Sequence, residues 1–344
     1  MLVRRSLAGL MIARPASAAR PAGHRRRRRA RAALLLLPLG MVLVIAIAWA
    51  GVEAVRPEAI DPDYHLRRDR LRERIAENPG RPIAVVIGSS RTAMAFEPES
   101  LPDPAAPIVW FNMSHFGSGP VMNDVILSRL LDDGVRPDVV AFEVMPVLYV
   151  SENDMFLARS LTFRDLVRVR RHSPPGELDF CFARERLTHF RRMSRADEPF
   201  AGVIGPRPHG GLATPIDDVT EADRVAKFAV QTGAFGVAAK SLNVRPMADR
   251  ALRHSLTLCR ERGITPILFH SPEGPKFRSL YDPSARARFD EYIANVAAER
   301  GARVIDARDW LDESDFMDSH HVLRRGALRY TSRLAVAIGS TARE

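Results

Sequence analysis

Pro82-Ile83-Ala84-Val85-Val86-Ile87-Gly88-Ser89-Ser90-Arg91-Thr92 is the stretch on which the fold turns. Ile83 to Ile87 is a short, wholly apolar run rich in β-branched residues, which is how a strand buried on both faces reads. The small residues Gly88, Ser89 and Ser90 then permit a sharp turn that opens a helix. A buried strand released into a tight turn and a helix is the first unit of an alternating chain.

Reading outward, the rhythm recurs. Ile108-Val109-Trp110-Phe111, entered through Pro107, reads as a second strand. A helix from about Pro120 to Leu131 stops near Gly134, with Val125, Ile126 and Leu130 on one side, and Val139-Val140-Ala141-Phe142 is a third strand. Further on, a helix through Leu252, Leu256 and Cys259 ends at Gly263, and Ile267-Leu268-Phe269 makes a strand. Asp282 caps a helix with Pro283 in its first turn; this helix carries Phe289, Ile293 and Val296 inward and ends at Gly301. Val304-Ile305 is a last short strand, and a final helix runs from about Gly326 to Ile338. Strands alternating with helices argue for an α/β fold, a parallel sheet in three layers with helices on both faces. Between Val147 and about Asn243 the alternation is lost, and the stretch, rich in arginine and glycine with Pro174-Pro175, reads as a mostly helical insertion.

The charge lies elsewhere. Of 51 basic residues, ten arginines stand within residues 1–31, which hold no acid. The remaining 41 balance 41 acids, so the net charge of +10 belongs to the tail and the body is neutral. A protein that grips nucleic acid electrostatically carries its excess on the folded surface, so no nucleic-acid partner is expected.

Directly after the tail, Ala32 to Val52 gives 21 residues without a charge. A helix of that length spans about 30 Å, the thickness of a bilayer core. Pro38 sits near the expected start, where a missing N–H costs least. Arginines flank one side only, so residues 1–31 are expected in the cytoplasm and residues 53–344 in the periplasm or outside the cell. Ala48-Trp49-Ala50 has the small residues of a signal-peptide cleavage site, but the apolar run exceeds the roughly 7–15 residues of such peptides, and an uncleaved anchor is expected. The expected organisation is a basic cytoplasmic tail (1–31), a transmembrane anchor (32–52), a juxtamembrane spacer (53–80) with Leu71 and Ile75 on a solvated helix, and an α/β domain (81–344) with its insertion at about 150–243.

The two cysteines, Cys181 and Cys259, read as small buried hydrophobes, although an oxidising compartment would let them pair. No spacing of cysteine or histidine suggests a metal site, and no cofactor is expected.

Ligands of open α/β sheets bind beyond the carboxyl ends of the strands. Ser90, after the first strand, would present its hydroxyl at a helix opening, where backbone N–H groups favour a developing oxyanion. Asp318-Ser319-His320-His321, ahead of the last helix, can supply a base and the acceptor that fixes its tautomer. Phe111-Asn112-Met113-Ser114-His115-Phe116-Gly117-Ser118-Gly119 follows the second strand.

In order and placement these blocks resemble the SGNH/GDSL hydrolase superfamily, with its flavodoxin-like parallel sheet, its nucleophile block after strand one and its D-x-x-H block before the final helix. Gly88-Ser89-Ser90 matches the first with serine in place of the usual aspartate, and Asp318-x-x-His321, followed by Gly326, matches the last. The resemblance covers roughly residues 82–146 and 264–338, and implies that Ser90 is the nucleophile, His321 the general base and Asp318 its orienting partner. His320 is the neighbouring alternative for the base. Gly117 or Gly119, by the same resemblance, donates a backbone N–H to the oxyanion, and Asn112 is a candidate side-chain donor. The family's G-x-N-D block after strand three is replaced here by Phe142-Glu143-Val144-Met145-Pro146. Glu143 reads as a salt-bridged structural residue.

An N-terminal anchor joined to a divergent domain of this kind is similar to envelope proteins that move acyl groups on extracellular polymers, such as the alginate-acetylation and teichoic-acid D-alanylation proteins. The expectation is therefore an esterase or O-acyltransferase acting on an envelope carbohydrate or lipid, with the membrane and other envelope proteins as partners. The alternative is a catalytically silent scaffold that keeps the fold for binding.

Overall fold

The computed structural model describes residues 22–101, 108–152, 154–172, 174, 176–189, 208–211 and 216–339. The first 21 residues of the expected basic tail, and parts of the expected insertion, lie outside these. The chain divides into two compact units, Met1–Ala50 and Gly51–Glu344.

Helix α1 (Ala22–Val55) begins just ahead of the run Arg25–Arg29 and continues through the apolar segment, so those arginines are helical. Leu36–Val55, with mean hydropathy 2.1, is the one helical stretch among the described residues long and apolar enough to cross a membrane. Pro38 accordingly sits inside the helix and not at its start, where it removes one backbone hydrogen bond.

The second unit opens with α2 (Pro62–Glu77), whose start is capped by Asp61 accepting the Tyr64 N–H at 3.1 Å. The solvated spacer expected here is instead a packed helix. Tyr64 and Leu71 are buried in the same core as Val85 and Phe111, and the buried Arg67 guanidinium donates to the carbonyls of Asn112 and Gly210. Such burial of a charged group is offset by those carbonyls and by the Asp63 carboxylate, which accepts its Nε at 3.1 Å.

The alternating body then runs β1 (Ile83–Ile87), α3 (Ser90–Ala95), β2 (Val109–Asn112), α4 (Pro120–Asp132) and β3 (Val139–Glu143). Among the described residues five helices follow, α5 (Pro146–Val150), α6 (Asp154–Ser160), α7 (Phe163–Val169), α8 (Glu177–His189) and α9 (Glu221–Ser241), and these account for the lost alternation. It resumes with α10 (Pro246–Glu261), β4 (Thr265–His270), α11 (Pro275–Arg278), α12 (Pro283–Arg300), β5 (Arg303–Asp306) and α13 (Arg324–Gly339). Asp282 caps α12 through the Ala285 N–H at 2.8 Å, and Gly301 ends it at φ +68°, as their residue types dictate.

The five strands form one parallel sheet in the order β2-β1-β3-β4-β5. Alternate residues sort its faces. Val85, Ile87, Phe111, Val140, Phe142 and Leu268 belong to a core with α2, α4, α10 and α12. Ala84, Val86, Trp110, Ala141, Ile267 and Phe269 belong to another with α13. This is the three-layer α/β architecture, thick on one side and thin on the other. Cys181 and Cys259 are both buried, and no disulfide joins them.

Candidate active site

The strand order reverses between β1 and β3, the place where an open α/β sheet leaves a crevice at its carboxyl edge. Ser90 emerges there. Ser89 caps α3, its side chain accepting the Arg91 N–H at 3.3 Å, and Ser90 is the first helical residue. Gly88 is required by crowding: a Cβ would fall 2.6 Å from both Glu143 Oε2 and Thr92 Oγ1. The Ser90 N–H belongs to the first turn of a helix, where backbone donors have no intrahelical acceptor.

The partner loop lies between β5 and α13. Phe316 and Val322 form an antiparallel bridge, and the Met317 N–H donates to the His321 carbonyl at 2.9 Å, closing a tight turn over residues 317–321. Ser319 takes the left-handed conformation, φ +60°, which is uncommon for a residue with a side chain. It is held there because its Oγ accepts the Phe277 N–H at 2.9 Å and donates to Glu313 Oε2 at 3.0 Å. The turn folds Asp318 under His321. Asp318 Oδ1 accepts the backbone N–H groups of His320 and His321, and Oδ2 lies 2.8 Å from His321 Nδ1.

These two features meet. Ser90 Oγ is 3.0 Å from His321 Nε2, so hydroxyl, imidazole and carboxylate stand in one hydrogen-bonded chain. Burial pushes the Asp318 carboxyl up, but the hydrogen bonds from His321 and from the backbone outweigh it and hold the group below its ordinary value. His320 does not reach Ser90. It is fully buried, its ring 4.6 Å from that of Phe277 and 5.2 Å from that of Phe235. Burial first, then the neighbouring His321 and Arg91, hold its imidazole well below the usual histidine value, so it is neutral packing.

Other expected site residues have other tasks. Both Asn112 amide hydrogens are spent on the carbonyls of Thr92 (3.0 Å) and Phe96 (2.8 Å), and its Oδ1 accepts the Ser114 N–H at 3.0 Å. It ties β2 to α3 and has no donor left for an oxyanion. The Gly119 N–H is likewise taken, by Glu152 Oε1 at 2.9 Å. Glu152 also accepts the N–H groups of Val121 and Met122, each at 3.1 Å, and so caps α4 from a distance. Burial pushes its carboxyl up to about 7 against the pull of those three donors. Gly117 turns the loop at φ +67°, and its N–H is the loop donor that remains a candidate.

Glu143 ends β3. Its Oε2 accepts the Ser89 N–H at 2.6 Å, and its Oε1 is 3.5 Å from Arg91 Nε. Arg91 Nη1 pairs with Glu273 at 3.1 Å, and its Nη2 donates to the carbonyls of Ser271 (2.8 Å) and Pro272 (2.9 Å). All three ionic side chains are buried, which fits the structural role expected of Glu143 and pins the start of α3 to the loop after β4.

One site contact has no motif behind it. Gln231, on α9, donates its Nε2 to Asp318 Oδ2 at 2.9 Å. Within the mixed composition of α9 nothing in the sequence marks it out.

A family model that carries no descriptive name matches residues 240–343. No curated protein matches the chain. Among solved structures, a crystal structure from Bacteroides fragilis, described as that of a proposed acylhydrolase, is similar at 12% identity and a TM-score of 0.39, covering 80% of this chain and 96% of its own. A likeness of that size says nothing of chemistry, which is read from the side chains themselves.

Proposed function

We propose that this chain is a membrane-anchored serine esterase or O-acyltransferase of the SGNH/GDSL type, acting outside the cytoplasm on acyl esters of an envelope carbohydrate or lipid. The observation that carries the reading is the continuous chain from Ser90 Oγ through His321 to Asp318, with donor–acceptor separations of 3.0 and 2.8 Å. Both fall within the reach that a nucleophile–base–orienter set needs.

In the proposed reaction Ser90 Oγ attacks the acyl carbonyl while its proton passes to His321 Nε2. Asp318 holds the imidazole with Nδ1 protonated and stabilises the imidazolium that forms. The carbonyl oxygen becomes an oxyanion beside the Ser90 N–H, with the Gly117 N–H as the second donor. Collapse expels the alcohol, which takes the proton from His321 and leaves an acyl-serine. Water or an acceptor hydroxyl, deprotonated by the same imidazole, then attacks the acyl carbon, and the acyl–Oγ bond breaks as Ser90 Oγ takes the proton back from His321. Leu36–Val55 supplies the anchor, and the arginines on its N-terminal side orient it with residues 1–31 in the cytoplasm.

A second reading is favoured by the engaged donors of Asn112 and Gly119 and by the Glu143 substitution: the fold is kept for binding and the site is silent. Fluorophosphonate labelling separates the two. The enzyme reading expects Ser90 to be phosphonylated in the full-length protein and Ser90→Ala to abolish labelling with the fold unchanged. A wild-type protein that is folded and unlabelled sinks it.

A further inference from the structure

Away from Ser90, three side chains that are far apart in sequence meet at one point. They are Asp124 on α4, His172 in the turn after α7, and His254 on α10. One ligand atom from each lies within 4.8 Å of the other two. His172 Nε2 is 3.0 Å from Asp124 Oδ2, and His254 Nδ1 is 2.7 Å from Asp124 Oδ1. The two imidazole rings stand 4.9 Å apart, inclined at 56°. We propose that Asp124, His172 and His254 form a binding site for a divalent transition metal, zinc being the ion this ligand set favours, which staples α4, the turn after α7 and α10.

Two imidazoles and one carboxylate are a common three-ligand set of zinc sites that keep an open fourth position. The spacing agrees. With bonds of about 2.0–2.1 Å, tetrahedral geometry puts ligand atoms roughly 3.3 Å apart; here one atom from each residue already lies within 4.8 Å of the others, with His254 at 2.7 Å from Asp124 Oδ1 and His172 at 3.0 Å from its Oδ2. The remaining histidine–histidine separation closes by a small swing of the His254 ring, which has room because its side chain is 29% exposed while those of Asp124 and His172 are 3% and 6% exposed. That same exposure gives the ion a way in and places its fourth position toward water.

The surroundings are those of a held ligand set. Ser255 Oγ donates to Asp124 Oδ1 at 2.9 Å, fixing the carboxylate, and Arg250 Nε donates to the His172 carbonyl, fixing the turn that presents the imidazole. Groups that orient ligands in this way ordinarily matter for affinity nearly as much as the ligands. Sequence spacing hides the site, because 48 positions separate Asp124 from His172 and 130 separate it from His254.

The test uses the full-length protein in detergent, stripped with chelator and then dialysed against zinc alone. One equivalent is expected to bind, zinc is expected to raise the melting temperature, and cobalt(II) in its place should give the strong visible bands of a tetrahedral ion. His254→Ala, at the partly exposed position, and His172→Ala should each weaken binding by roughly tenfold or more and abolish the thermal shift. His321→Ala should leave the equivalent in place, which separates this site from the imidazoles beside Ser90. Absence of saturable zinc binding by the wild type, or an equivalent that survives His254→Ala with its affinity intact, overturns the proposal.

Discussion

Replacing Asp318 by asparagine changes hydrogen-bond roles without changing size, so its effect can be worked from the contacts. Asp318 Oδ1 accepts two backbone N–H groups, while Oδ2 accepts from His321 Nδ1 and, at 2.9 Å, from Gln231. An asparagine has only one oxygen to offer. If that oxygen takes the place of Oδ1, the backbone donors stay satisfied and the NH2 group faces His321 Nδ1. The imidazole must then accept through Nδ1 and carry its proton on Nε2, pointing at Ser90 Oγ, where it can no longer act as a base. Gln231 adapts by turning its own amide. The opposite orientation preserves the tautomer but sets an NH2 group against two N–H donors, and each hydrogen bond left unmade costs about 1–3 kcal/mol. The first orientation therefore wins. Phosphonylation of Ser90 should slow by roughly 10⁴-fold, about 5.5 kcal/mol in barrier. The measurement is the second-order labelling rate of purified Asp318→Asn beside wild type, with circular dichroism confirming equal folding. A rate within about tenfold of wild type would refute the claim that the carboxylate sets the tautomer.

Three further expectations follow from neighbouring contacts. Gln231→Leu removes one hydrogen bond to a charged acceptor and should slow labelling by roughly fivefold, about 1 kcal/mol, with little change in melting temperature. An unchanged rate would mean that Gln231 positions nothing. Gly88→Ala drives a methyl group against Glu143 and Thr92 and should cost about 1–3 kcal/mol of stability, read by denaturant unfolding. The Glu152 carboxyl is raised from 4.5 to about 7, so the folded state holds the proton more tightly than the unfolded one. Its contribution is full below the unfolded value and is lost as pH rises through the folded one. The stability of wild type relative to Glu152→Gln should therefore fall between about pH 5 and 8, by on the order of 3 kcal/mol, and a difference that stays flat or rises would contradict the assignment.

How far the sequence could be read depended on where each element's partners lie. β1 was legible to the residue because five apolar positions in a row have one physical explanation, burial on both faces. β5 was read short because it is an edge strand whose flanking Arg303 and Asp306 are exposed, leaving little apolar signal. The packed face of α2 was missed for the opposite reason: it includes Arg67 and His65, and a buried guanidinium looks solvated until its acceptors, on β2 and at Gly210, are known. The same logic divides the site. The meeting of Ser90, Asp318 and His321 was expected from the resemblance of two blocks, one after the first strand and one ahead of the last helix. The spending of Asn112 and Gly119 was not, since it depends on the carbonyls of Thr92 and Phe96 and on a carboxylate 33 positions away.

In the proposed reaction, the engaged donors bear on what separates hydrolysis from transfer. An oxyanion site short of one donor gives up about 2.7–4 kcal/mol of transition-state stabilisation. That loss falls on both outcomes alike, because water and an acceptor hydroxyl attack the same acyl-serine through the same tetrahedral geometry. The ratio of the two is then set by what lies over the acyl group, by exclusion of water and by placement of the acceptor. Of the helices described between β3 and β4, α9 touches the loop that carries the imidazole: Gln231 bonds Asp318 and Phe235 packs on His320, 5.2 Å ring to ring. Substitutions on the face of α9 that carries these two residues should alter the partition between water and an acceptor alcohol more than they alter phosphonylation of Ser90, since phosphonylation needs no second substrate.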